Sequence, residues 1–149
     1  MIGDPSRDHL RGAVVLVVDD DREQAATLAE LLCYEGIAAI SESDPRVVLT
    51  DLIDRPLDAL ILDVDMRWIS GPALLAAVRT RHPDIPAIFL TGYELRDAGL
   101  ADALATGRVA HLTKPTKLAE LLALLARALA DCKPHERGAR SDAKRRADD

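Results

Sequence analysis

Aromatic side chains are nearly absent from this chain, which has one Phe, one Trp and two Tyr among 149 residues. Its core must therefore be built from Leu, Val, Ile and Ala. Cysteine is equally scarce. Cys33 and Cys132 lie far apart, with no CxxC and no Cys/His cluster at zinc spacing, so neither a disulfide framework nor a structural zinc is indicated. They read as incidental thiols of a reducing compartment. No apolar run approaches the roughly 20 residues that span a bilayer, and the opening MIGDPSRDHLRG lacks the apolar stretch of a signal peptide. Nor is there a basic excess: the net charge of -6 argues against a nucleic-acid-binding surface and for a cation at any site where acidic groups cluster. These features predict a cytoplasmic protein with neither membrane nor nucleic-acid contacts.

What is present is ordinary in amount and specific in pattern. With 48% hydrophobic and 30% charged residues, the chain has the composition of a single folded domain. Ala13 to Val18 is a continuous apolar, β-branched run, the pattern of a strand buried on both faces. A helical stripe of Ala25, Leu28, Ala29 and Leu32 places a helix over Arg22 to Tyr34, with Gly36 to end it. Ile37 to Ile40 reads as a strand. Asp44-Pro45 opens a helix that Pro56 must break, and Ala59 to Leu62 is the next strand.

Gly71-Pro72 starts a helix running to about Thr80, and Ala87 to Leu90 is a strand. A weaker helical pattern covers Leu95 to Ala105, and Val109 to Thr113 is the last strand. Thr116 is positioned to cap a final helix whose Leu118, Leu121, Leu122, Leu125 and Leu129 form one apolar stripe. Strand and helix thus alternate five times, which predicts an α/β fold with a parallel sheet and helices on both faces. Residues 1–12 read as an N-terminal extension, and residues 132–149 as a solvated, flexible tail, because the apolar pattern stops there.

Five polar residues sit at or just past the ends of the predicted strands. Asp19 and Asp20 follow VVLVV, Asp63 follows ALIL, Thr91 follows AIFL, and Lys114 follows VAHLT. In an open parallel sheet, ligands bind at these carboxyl ends. A carboxylate accepts a phosphoryl group only when its own charge does not repel the incoming one. Mg²⁺, held by one or two carboxylates plus water and phosphate oxygens, removes that repulsion. Asp19 and Asp20 can supply such carboxylates beside Asp63, while Lys114 and the Thr91 hydroxyl bind phosphoryl oxygens. Each type alone has a plainer use. An Asp run at a strand-to-helix junction caps helices, which is the role expected of Asp21, and a lone Asp, Thr or Lys after a strand is usually a turn or surface residue. Their coincidence on four strands favours the joint reading.

On these motifs (VVLVVDD, LILDVDM followed by Ser70-Gly71, FLTG and LTKP) the chain resembles the receiver domains of two-component response regulators, over about Ala13 to Ala130. The resemblance implies a flavodoxin-like (βα)5 fold with strand order 2-1-3-4-5, in a domain spanning residues 13–131. It also implies Asp63 as phosphoacceptor and Mg²⁺, with Mn²⁺ able to substitute, on Asp19, Asp20, Asp63 and the backbone carbonyl of Asp65. Thr91 and Lys114 carry over as the switch hydroxyl and phosphoryl-binding lysine, the latter before a cis-prone Pro115. The residues two past the acceptor and two past the threonine, Asp65 and Tyr93, flank the path of the water that hydrolyses the acyl phosphate. The chain departs from the family at Arg67, where proline is usual, and at His111, where an aromatic switch residue is usual. An ordinary half-buried strand position and a pH-sensitive switch are both open for His111.

The resemblance makes the chain a signalling protein rather than an enzyme with a separate substrate. It catalyses its own phosphorylation from a sensor histidine kinase or histidine phosphotransfer protein, and its own slow dephosphorylation. A stand-alone receiver is expected, passing the signal by partner binding or onward transfer, with possible dimerisation through the fourth helix, fifth strand and last helix. Two rivals remain. A receiver-like interaction module would not be phosphorylated. A haloacid-dehalogenase-type phosphohydrolase would match the DxD of Asp63-Val64-Asp65, but its DxD strand comes first and its acidic pair last, the reverse of the order here.

Overall fold

The computed structural model describes residue 8, residues 10–92 and residues 98–131. Five strands, β1 (Val14–Val18), β2 (Ala38–Glu42), β3 (Ala59–Asp63), β4 (Ala87–Thr91) and β5 (Val109–Thr113), form one sheet in the order β2-β1-β3-β4-β5. Every neighbouring pair is parallel. The helices between and after them are α1 (Arg22–Tyr34), α2 (Pro45–Val47, continued as a π-helical segment Val48–Leu52), α3 (Gly71–Val78), α4 (Ala98–Ala105) and α5 (Leu118–Ala130). This is the flavodoxin-like, doubly wound architecture expected from the sequence.

Strand alternation divides the apolar residues between two cores. Val15 and Val17 of β1 face one way, with Ala59, Ile61, Ile88 and Leu90, and pack against Ala25, Ala29 and Leu32 of α1 and Leu121, Leu122 and Leu125 of α5. Leu16 and Val18 face the other way, with Leu60, Leu62 and Phe89, against Val48 and Leu52, Leu74, Leu75 and Val78 of α3 and Leu100 of α4. Both faces of β1, β3 and β4 are therefore dry. That is why these strands read as unbroken apolar runs, and why scarce aromatics suffice: the single Phe, Phe89, is fully buried at the centre.

Several boundaries differ from the sequence reading for identifiable reasons. β2 starts at Ala38 and extends to Glu42, because its polar end still pairs with Val18 of β1. Asp44 caps α2 as expected, its side chain accepting from the Arg46 N–H at 2.9 Å. The α-helix lasts only three residues before passing into π geometry, in a stretch of β-branched residues where the Thr50 hydroxyl donates back to the Arg46 carbonyl at 3.2 Å. Thr116 does not cap α5. Lys117 occupies that position, its carbonyl accepting from Leu121 N–H at 3.1 Å, and the Thr116 Oγ1 is buried without a hydrogen-bond partner. The expected helical residues Leu95 to Asp97 and the tail 132–149 lie outside the described residues.

Candidate functional site

Each β-strand ending at the same edge of the sheet delivers a polar group there. Asp63 is the last residue of β3, and Thr91 is the last of β4. Asp19 follows β1 by one residue and is held down by its own N–H, which donates to the Glu42 carbonyl at the end of β2 at 3.2 Å. Lys114 follows β5 and is fixed by a 2.7 Å bond from its N–H to the Thr91 carbonyl. The peptide bond between Lys114 and Pro115 is cis.

The side chains converge. One carboxylate oxygen from each of Asp19, Asp20 and Asp63 lies within 4.8 Å of the others. Lys114 Nζ sits 3.2 Å from Asp19 Oδ2 and 3.5 Å from Asp63 Oδ1, so a single ammonium bridges two of the three carboxylates. It also donates to Gln24 Oε1 of α1 at 3.4 Å. The other Asp19 oxygen accepts from the Asp21 N–H at 2.9 Å. Asp21 itself caps α1, accepting from Glu23 and Gln24 N–H groups at 3.1 and 3.2 Å, which is the non-catalytic use expected of it. A cleft of about 550 Å³ opens beside this cluster, lined by Asp19, Gln24, Leu90, Gly92, Lys114 and Pro115 among others.

Electrostatics follow from this crowding. Burial pushes the Asp63 carboxyl up to about 6, and the like charges of Asp19 and Asp20 push the same way while Lys114 opposes them. For Lys114, burial disfavours the ammonium, but Asp63 and Asp19 outweigh it and raise its pKa. Three carboxylates faced by the bridging Lys114 ammonium and the exposed Arg67 guanidinium at Asp20 still form a site with surplus negative charge and only oxygen donors. That donor set fits a hard divalent cation such as Mg²⁺.

A family model for the response regulator receiver domain matches residues 15–126, which takes in every one of these groups. This chain belongs to that family. Among the receiver's relatives, the DNA-binding transcriptional regulator NtrC of Salmonella typhimurium is 32% identical over 120 residues, covering 80% of this chain and 25% of the relative. The response regulator protein FleR of Pseudomonas aeruginosa is 32% identical over 115 residues, covering 77% of this chain and 24% of the relative. The chain therefore spans about a quarter of the length of these relatives. Among solved structures, the receiver domain of NtrX from Brucella abortus superposes with a TM-score of 0.70 at 27% identity, over 79% of this chain and 99% of that one. FixJ-N, at 24% identity and a TM-score of 0.71 over 83% of this chain and 98% of that one, shares the fold.

The remaining predicted positions of the receiver fall as follows. Thr91 is buried, and its hydroxyl donates to the Leu112 carbonyl of β5 at 3.4 Å. His111 is half-buried in the middle of β5, in register with Phe89. Asp65 is exposed in the loop after β3. Tyr93 lies outside the described residues.

Sequence reasoning missed three contributors. Gln24 binds Lys114 from the first turn of α1, a contact no local pattern announces. Gly71 opens α3 so close to β3 that a Cβ there would collide with the Asp63 carbonyl oxygen and meet the Phe89 ring at 3.2 Å. Its N–H donates to the Val64 carbonyl at 2.9 Å. Arg67 was visible as an unusual residue, but not its partner: the Arg67 N–H donates to Asp20 Oδ2 at 3.3 Å, with the guanidinium Nε at 3.8 Å from the same oxygen. A positive residue a few positions past an acidic pair's own strand neighbour was the available signal.

Proposed function

We propose that Asp63 is the acceptor of a phosphoryl group donated by the phosphohistidine of a sensor histidine kinase or a histidine phosphotransfer protein. The observation that carries this reading is the convergence of Asp19, Asp20 and Asp63 within 4.8 Å, with Lys114 bridging Asp19 and Asp63. A carboxylate oxygen of Asp63 attacks phosphorus. The P–O bond forms as the P–N bond breaks, and the electron pair leaves on the imidazole nitrogen, which takes up a proton. Lys114, already within reach of Asp63, holds a phosphoryl oxygen as a point charge.

Asp19, Asp20, Asp63 and the Asp65 backbone carbonyl would hold Mg²⁺, or Mn²⁺ in its place. When bound, the ion neutralises the charge that otherwise sets the carboxylates and the phosphoryl group against each other. After transfer, the Thr91 hydroxyl leaves the Leu112 carbonyl for a phosphoryl oxygen, which couples the acceptor to β5 and to His111 within it. Asp65 and Tyr93 modulate the hydrolysis that resets the site. The output passes to a protein partner, through the face of α4, β5 and α5 or by onward transfer of the phosphoryl group. Dimerisation is proposed through that same face, where Leu124 of α5 is only half-buried.

Acetyl phosphate tests this without a cognate kinase. Incubated with Mg²⁺, the protein gains one phosphoryl group, and with EDTA it gains none. Labelling that persists in EDTA contradicts the mechanism, and a chain that stays unmodified in both is an interaction module of the kind weighed above.

A further inference from the structure

A cation supplied by the chain itself stands at the acidic cluster, and phosphoryl transfer as described makes no use of it. Arg67 places both its backbone N–H, at 3.3 Å, and its guanidinium Nε, at 3.8 Å, on Asp20 Oδ2. The side chain is otherwise exposed. Its neighbour fixes the loop. Trp68 adopts a left-handed backbone with φ 77, a conformation non-glycine residues seldom take, and its ring lies under the Arg46 guanidinium at 3.9 Å from the centroid. Arg46 is in turn clamped by Asp44, the cap of α2, with Nε to Oδ1 at 3.0 Å and Nη2 to Oδ2 at 2.9 Å. The loop after β3 is thus tied through Trp68 to the start of α2, and Arg67 is the residue next to that tie.

The geometry points to Arg67 as a built-in competitor for the divalent cation, weakening its binding by engaging one oxygen, Oδ2, of Asp20. The inference rests on the reading of Asp19, Asp20 and Asp63 as the cation site. A carboxylate oxygen that already accepts an N–H and faces a guanidinium has less to offer an incoming ion. The ion also meets a positive charge near its ligand, so binding requires the Arg67 side chain to give way. An exposed ion pair is weak, and repulsion between a dication and a nearby unit charge adds to it. The bound fraction, and with it the rate of phosphorylation at limiting Mg²⁺, is then set by a residue outside the ligand set. Backbone donation from Arg67 survives any substitution except proline, so the charge can be tested apart from the loop.

Calorimetric titration of the unphosphorylated full chain with MgCl₂ compares the wild type with Arg67→Gln and Arg67→Lys. Removing the charge in Arg67→Gln should tighten the Mg²⁺ Kd by about three- to tenfold, while Arg67→Lys stays within about twofold of the wild type. The gap should narrow in about 0.5 M salt. The side chain is 79% exposed, so the substitutions leave folding intact. Equal or weaker binding by Arg67→Gln overturns the competition, as does a lysine variant that binds as tightly as the glutamine one. A wild type with no Mg²⁺ binding at all overturns the cation site and the competition together, whereas wild-type binding unchanged in Arg67→Gln overturns the competition alone.

Discussion

Asp63 combines a surface-type residue with a core-type position, and that tension has a measurable sign. Its carboxyl is pushed up to about 6 from an ordinary 3.8, by burial first and by Asp19 and Asp20 next. A folded-state pKa above the unfolded one means the native protein holds the proton more tightly. The associated stability is fully present below pH 3.8 and lost as pH rises through about 6. In the absence of divalent cations, Asp63→Asn should therefore stabilise the protein near pH 7–8, on the order of 1 kcal/mol once solvent screening of a half-buried site is allowed for. Urea melts of both proteins across pH 4–8 check this, and the gap should close toward pH 4. A gap independent of pH would show that packing, not ionisation, separates the two side chains. That Asp63, the Asp19-Asp20 pair, Thr91 and Lys114 come to one edge of the sheet was legible because each ends or follows an apolar run on a parallel strand. Arg67 on Asp20 and Arg46 on Trp68 were not, because both join residues at least 20 positions apart in sequence through loop conformations, including a positive φ at Trp68, that no periodicity encodes.

Among the elements, α3 shows most clearly how packing reaches the site. Ser70 caps it, its hydroxyl accepting from the Ala73 N–H at 3.3 Å, and Gly71 then lets the first turn cross directly over the end of β3. A methyl group at Gly71 would have to displace the Asp63 backbone, which cannot move without disturbing the sheet. Gly71→Ala should destabilise the protein by about 1–3 kcal/mol and also slow acetyl phosphate labelling, because the displaced atoms belong to Asp63, the proposed acceptor. Chemical denaturation and labelling on the same preparation check both, and a wild-type rate in a destabilised variant would separate α3 packing from the acceptor. The sequence announced α3 through Gly71-Pro72 and α1 through its stripe. It misplaced the start of α5, since Thr116 has the right chemistry for a cap but stands one residue before the position whose carbonyl begins the helix. It also gave no notice of the π geometry after Pro45–Val47, where β-branched residues and a back-bonding Thr50 compete with regular α-helix.

For the molecule as a whole, the two dry cores enclose β1, β3 and β4 on both faces, whereas the edge strand β5 is half-buried along most of its length. Thr91 and Lys114 link the two regions through the Lys114 N–H to the Thr91 carbonyl and the Thr91 hydroxyl to the Leu112 carbonyl. If a phosphoryl group captures the Thr91 hydroxyl as proposed, β5, the least buried strand on that side of the sheet, should respond first. Beryllofluoride, a phosphoryl mimic, should change amide exchange at Thr91, His111 and the residues of α4, and leave β1 unaltered. Identical protection in both states would remove the α4, β5 and α5 face as the output surface. The α/β class was legible because five apolar runs alternate with five helical patterns, whereas the strand order β2-β1-β3-β4-β5 came from the resemblance to receiver domains, since two-sided burial is common to other doubly wound orders. No helix among the described residues is long and apolar enough to cross a membrane.

Asp63 alone is proposed to receive the phosphoryl group. Mass spectrometry of the intact and digested protein after acetyl phosphate treatment with Mg²⁺ tests it most directly, comparing the wild type with Asp63→Asn. One phosphoryl group on the peptide containing Asp63, and none on the variant, is the predicted result. Undiminished labelling of Asp63→Asn, at Asp65 or anywhere else, would contradict it.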